Sequence, residues 1–117
     1  MEATDEEVAA RAGAVLAEKH AAAVFDETEK VARPGFLVAP GASGAGRARV
    51  QHRTLFPSDE RSTLSFADAA AEEFLLVEAY ADLLRAAGWE VQYRSATRPN
   101  LLVAPPTARR GENSART

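Results

Sequence analysis

Arg33-Pro34-Gly35-Phe36-Leu37-Val38-Ala39-Pro40 is echoed later in the chain by Arg98-Pro99-Asn100-Leu101-Leu102-Val103-Ala104-Pro105. Each copy is a short apolar run bracketed by prolines, which reads as a strand bounded by residues that break regular structure. Upstream of each lies a long alanine-rich segment with helical spacing, so the chain divides into two α-β-β units in tandem.

The first helix is predicted over about 5–28. Thr4 can cap an orphan amide while Glu7 reaches back, the reciprocal arrangement of a capping box. Val8, Ala12, Val15 and Leu16, continued by Ala22, Ala23 and Phe25, supply a thin buried stripe. The second helix, about 66–87, has a stronger one: Phe66, Ala70, Phe74, Val77, Tyr80, Ala81 and Leu84 fall on one side. Gly88 is placed to end it in the left-handed conformation, so that Trp89 folds back onto the last turn. Burial of Trp89 and Phe74 is worth about 2–3 kcal/mol each by area.

Four strands complete the pattern, at about 35–39, 47–53, 89–94 and 101–104. The runs at 35–39 and 101–104 are apolar throughout. The other two alternate, with Arg47, Arg49, Gln51 and Arg53 set against Ala48, Val50 and His52, and Trp89, Val91 and Tyr93 against Glu90, Gln92 and Arg94. Taking continuous apolarity as a mark of central strands and alternation as a mark of edges predicts an antiparallel sheet in the order 47–53, 35–39, 101–104, 89–94. Numbered in chain order this is 2-1-4-3. The expected fold is therefore α+β, a two-layer sandwich of α-β-β-α-β-β order with both helices on one face and a pseudo-twofold between the halves.

A chain of 117 residues with 46% hydrophobic and 26% charged residues suits one domain, taken as 1–106, with 107–117 as a disordered tail. The absence of cysteine removes disulfides and thiolate metal sites and favours a reducing, cytoplasmic setting. The acidic start at Glu2, Asp5, Glu6 and Glu7 does not read as a signal peptide, and no apolar run approaches a membrane span.

The net charge of −3 conceals a segregation. Residues 1–30 hold eight acids and three bases (−5), and 31–58 hold Arg33, Arg47, Arg49 and Arg53 with no acid (+4). Residues 59–82 hold seven acids and Arg61 (−6), and 83–117 hold six arginines and two acids (+4). Acidic blocks coincide with the helices, basic blocks with the strands and tail.

Candidate chemistry is sparse. Gly41-Ala42-Ser43-Gly44-Ala45-Gly46 has neither the Gly-Lys-Ser/Thr leading into a helix of a phosphate loop nor the second glycine of a serine elbow, and reads as a hairpin loop. A small hydrolase or ligand-binding protein using this loop is the remotest reading. His20 and His52 lack metal-ligand spacing, His52 reading as a core or boundary side chain and His20 as solvated. Adjacent Glu72 and Glu73 diverge by about 100° on a helix and both are expected to face water. No catalytic residue, metal or cofactor is assigned.

The arginines make the better case. With the helices over Val50, Trp89 and Tyr93, the residues Arg47, Arg49, Arg53, Arg94 and Arg98 project from the open face around an apolar centre of Leu37 and Leu102. Such a platform suits an anionic protein partner or a second subunit. The alternative is nucleic acid held by its phosphates, against which stand the negative net charge and aromatics on the other face. The expected function is that of a non-enzymatic binding or regulatory protein.

Overall fold

The computed structural model describes residues 4–41, 46–55, 65–95 and 98–106. The expectations for the 42–45 part of the glycine loop, the apolar plug at Phe56 and Pro57, and the tail from 107 onward lie outside these residues.

Helix α1 spans Asp5–Leu16. Its capping box is present: the Thr4 hydroxyl accepts from the Glu7 amide at 3.1 Å, and the Glu7 carboxylate accepts from the Thr4 amide at 2.8 Å. Val8, Ala12 and Leu16, spaced by one turn, are wholly buried. The helix stops at Leu16 and does not continue to about 28. From Leu16 to Phe25 the stripe offers only the alanines Ala22 and Ala23, and propensity with so thin an apolar face does not hold a helix against better tertiary bonds. Those bonds go to the sheet. The Ala23 amide donates to the Phe36 carbonyl at 2.8 Å, and the Phe36 amide donates to the Ala21 carbonyl at 3.0 Å.

Residues 21–23 thus form a strap along one edge of the sheet, bridging in parallel at Ala22 and Phe36. A methyl group at Gly35 would run into the Ala21 carbonyl oxygen and the backbone of Ala22 and Ala23, so the close crossing requires glycine there. The chain then makes a small hairpin of β1 (Val24–Phe25) and β2 (Val31–Arg33). Its turn is built on Asp26, whose Oδ1 accepts from the Thr28 amide, the Thr28 hydroxyl and the Lys30 amide.

The main sheet comprises β3 (Gly35–Pro40), β4 (Ala48–Arg53), β5 (Glu90–Ser95) and β6 (Pro99–Ala104), with helix α2 (Phe66–Ala86) between β4 and β5 in the chain. Among the described residues the architecture is α+β, with two helices, a two-stranded sheet and a four-stranded sheet, all strand pairs antiparallel. The echoed octapeptides both become strands, β3 and β6. The sheet order is β3-β4-β6-β5, so they do not lie side by side as expected from their apolarity. Leu37 and Leu102 are separated by β4, where Gln51 stands opposite Leu37 and Arg49 opposite Leu102.

When one face of an antiparallel sheet is covered, alternation reports which face a residue occupies, and a central strand alternates as well as an edge strand does. In β4, Ala48, Val50 and His52 are buried while Arg49, Gln51 and Arg53 are not, although β4 has a neighbour on each side.

Helix α2 ends as its sequence predicts. Gly88 takes φ 89° and its amide donates to the Arg85 carbonyl, while the Trp89 amide donates to the Leu84 carbonyl at 3.0 Å, a Schellman closure. Trp89 is buried, with the Arg11 guanidinium 5.8 Å from its ring centroid. Val77, Tyr80, Ala81 and Leu84 join Val8, Ala12 and Leu16 of α1 and Val50, Leu101 and Val103 of the sheet in one apolar cluster. Phe66 and Phe74, expected within the stripe, are 73% and 46% exposed. Phe66 sits at the first position of α2, and Phe74 lies about 80° round the helix from Leu84 at 100° per residue, on its flank. Among the described residues no helix is long and apolar enough to cross a membrane.

Candidate functional site

The predicted arginine platform divides in two. Arg49 sits at the middle of the sheet on the face turned away from the core, opposite Ala39 on β3 and Leu102 on β6. Its Nη1 donates to Asn100 Oδ1 at 2.7 Å, which steadies the guanidinium without neutralising it. Arg47 precedes β4 and is held by its backbone. Its amide and that of Gly46 donate to Asp5 Oδ1 at 2.9 and 2.7 Å, and its carbonyl accepts from the Gly41 amide. Arg94 is exposed on β5 opposite Asn100. Leu37 and Leu102 are both part-exposed on this face, on either side of β4.

Arg53 and Arg98 are drawn elsewhere. The β4–β6 rungs are Ala48↔Val103, Arg49↔Leu102 and Val50↔Leu101, and beyond them the strands part. In that opening Arg98 Nε donates to Glu73 Oε2 of α2 at 2.9 Å, so this cation is neutralised on the helix side instead of projecting from the open face. Arg53 and Arg98 both line a cavity of about 280 Å³ with Lys30, Phe66, Ala69 and Glu73, and Arg53 Nε is buried there without a hydrogen-bond partner among the described residues.

A second constellation was not anticipated. His52, on the inward phase of β4, has Nδ1 2.7 Å from the Tyr80 hydroxyl and Nε2 2.9 Å from Glu72 Oε2. An ionised carboxylate only accepts, so with a neutral imidazole Nε2–H donates to Glu72 and the Tyr80 hydroxyl donates to Nδ1. His20, expected in water, packs edge-on against Tyr80 with ring centroids 4.8 Å apart. Glu72 therefore turns inward, against the expectation that it faces water. His52 is buried as the boundary reading had it. A cleft of about 310 Å³ adjoins this group, lined by Pro34, Gly35 and Leu76 beside the four polar side chains.

The carboxylate–imidazole–hydroxyl order has the outline of an activated nucleophile. Its electrostatics run the other way. Burial, with the Glu72 carboxylate next, pushes the Tyr80 phenol up from 10.0 to about 12, which holds the hydroxyl protonated. Tyr80 is also 1% exposed, although its side chain borders the cleft. The arrangement is suited to fastening β4 to α2 inside the core. The signal in the sequence was that a histidine on the buried phase of a strand and a tyrosine on the buried stripe of a helix must each find a polar partner.

Comparison with protein-family models, with curated proteins and with solved structures finds no match. The chemistry of the side chains alone must carry the functional reading. Among the described residues no group of histidine and carboxylate side chains is arranged to hold a metal ion.

Proposed function

We propose that this is a non-enzymatic binding protein that engages an anionic protein partner, or an acidic surface of a second subunit, through the sheet face turned away from its helices. The observation that supports it is the pairing of charge and apolar surface around β4. Arg47 and Arg49 have no ion pair among the described residues, Arg49 stands opposite the part-exposed Leu102, and the part-exposed Leu37 lies opposite Gln51, two positions along β4 from Arg49. Guanidinium groups beside aliphatic side chains favour carboxylates carried on a partly apolar protein surface.

Nucleic acid is the alternative occupant of the same face. The outward positions Leu37, Ala39, Arg49, Gln51, Glu90, Gln92, Arg94, Asn100, Leu102 and Ala104 include no aromatic residue to stack a base. The net charge of −3 also opposes association with a polyanion.

Titration with a labelled polyglutamate peptide and with single- and double-stranded oligonucleotides, across a salt series, tests the reading. The expected result is salt-sensitive binding of the acidic peptide, weakened at least tenfold in the Arg47→Ala/Arg49→Ala double variant, with weaker binding of oligonucleotide. Tighter oligonucleotide binding, lost in the same variant, would replace the protein partner by nucleic acid. Binding of neither probe at low salt sinks both.

A further inference from the structure

The two edges of the main sheet are treated differently. The outer edge of β3 is occupied at Phe36 by the 21–23 strap. The outer edge of β5 has no strand against it among the described residues, and it carries Glu90, Gln92, Tyr93 and Arg94 exposed. An open edge presents a row of unpaired backbone groups, and proteins blunt such an edge with prolines, bulges, a covering element or charges that disfavour a second copy. Here the charges are arranged to attract one.

We infer that the protein forms a symmetric homodimer by antiparallel pairing of β5 with β5 of a second copy, centred on Gln92. In that register Glu90 faces Arg94 of the other copy, twice by symmetry, and Val91 faces Tyr93, also twice. Glu90 and Arg94 share the open face and have no ion pair among the described residues, and opposite charges across a rung stabilise pairing. Val91 and Tyr93 share the other face, since their partners on β6 are the buried Val103 and Leu101. Each like-facing pair therefore meets without a clash of faces, as an isologous contact requires.

The helix layer agrees. Helix α2 packs on β4, β5 and β6. Phe74 lies on the flank of α2 that carries Glu78 one turn on, and the Glu78 carboxylate is close enough to the Tyr93 phenol to add to the raising of its pKa. Phe74 and Tyr93 are 46% and 40% exposed. Across the axis the two β6 strands would stand about 14 Å apart, three strand spacings, a gap between the helices that large aromatic side chains fill. The dimer sheet would be eight-stranded, with both Arg49 faces on one side. This contact uses the edge of the sheet and not its face, so it stands or falls independently of the proposed anionic partner.

Light scattering and sedimentation on the full chain at rising concentration test it, with Glu90→Arg, Arg94→Glu and their mixture. Wild type is expected at twice the 12.5 kDa chain mass and each single variant at the chain mass, because either reversal sets like charges across both outer rungs. An equimolar mixture is expected at twice the chain mass again, because each of those rungs then joins an arginine of one variant to a glutamate of the other. Circular dichroism establishes that both variants are folded. Amide exchange in wild type gives a reading free of substitutions: protection along Glu90–Ser95 rises with concentration. A wild type monomeric at millimolar concentration, a dimer undisturbed by either reversal, or β5 exchange independent of concentration would each overturn the inference.

Discussion

The Nδ1 atom of His52 lies 2.7 Å from the Tyr80 hydroxyl, in the core and between a strand and a helix, the two residues being 28 apart in the chain. This bond joins β4 to α2, and Glu72 of the same helix is held by the other ring nitrogen. Its loss leaves a buried polar group unpaired, which costs more than the bond itself contributes.

Tyr80→Phe is accordingly expected to destabilise the fold by about 1–2 kcal/mol, since it leaves His52 Nδ1 without its partner while Nε2 keeps Glu72. His52→Ala should cost more, because it removes packing and orphans the Tyr80 hydroxyl together. Urea unfolding of the two single variants and the double variant closes a cycle, and the double should cost clearly less than the sum. Strict additivity would mean that the two side chains do not act as a unit.

Stability should fall as pH rises through the alkaline range. The Tyr80 phenol titrates near 10.0 in the unfolded chain and about 12 in the folded protein, so between those values the folded state binds more protons than the unfolded state. The stabilising contribution is complete below pH 10.0 and is lost as pH climbs towards 12. Thermal melts across the range from about pH 9 to about pH 12 on wild type and Tyr80→Phe will check this, the variant losing the Tyr80 part of the slope.

Asp5 joins the first turn of α1 to the entry of β4 by accepting from the amides of Gly46 and Arg47. It is 6% exposed although it heads a helix. Asp5→Ala is predicted to cost about 2 kcal/mol, the scale of hydrogen bonds to a charged acceptor, whereas Glu6→Ala on the exposed side of the same turn should change little. Chemical denaturation of both variants distinguishes this role from a general dipole effect, which would move both alike.

Gly35→Ala tests the strap. The added methyl meets backbone, which cannot swing aside as a side chain can, and a cost of about 1–3 kcal/mol is expected from overpacking. Amide exchange should show the Ala23 and Phe36 amides losing protection while those of β4 and β6 keep theirs. Unchanged protection at Ala23 would mean that the crossing is looser than the hydrogen bonds imply.

Much of the local structure was legible in the residues. Thr4 with Glu7, and Gly88 with Trp89, placed a helix start and a helix end because capping is satisfied within a few residues of chain. Alternation in 47–53 sorted inward Val50 from outward Arg49 because side chains on a strand change face at every step. The length of α1 and the direction of Arg98 were set by distant partners. Nothing local to 17–23 tells of the carbonyl of Phe36 awaiting it, and nothing local to Arg98 tells of Glu73.

The sequence by itself determined where the second helix and the four main strands lie, where α1 starts and α2 ends, and how faces alternate along β4, since those follow from short-range sterics and hydrogen bonding, whereas the facing of Phe66, Phe74, Glu72 and Arg98 did not follow from it. Only the tertiary structure decided that β4 runs between the echoed strands, that α1 yields to a strap after Leu16, that Arg98 pairs with Glu73 of α2, and that His52, Tyr80 and Glu72 meet. Those outcomes depend on which distant groups compete for the same partner, and burial settles that competition over the whole chain at once.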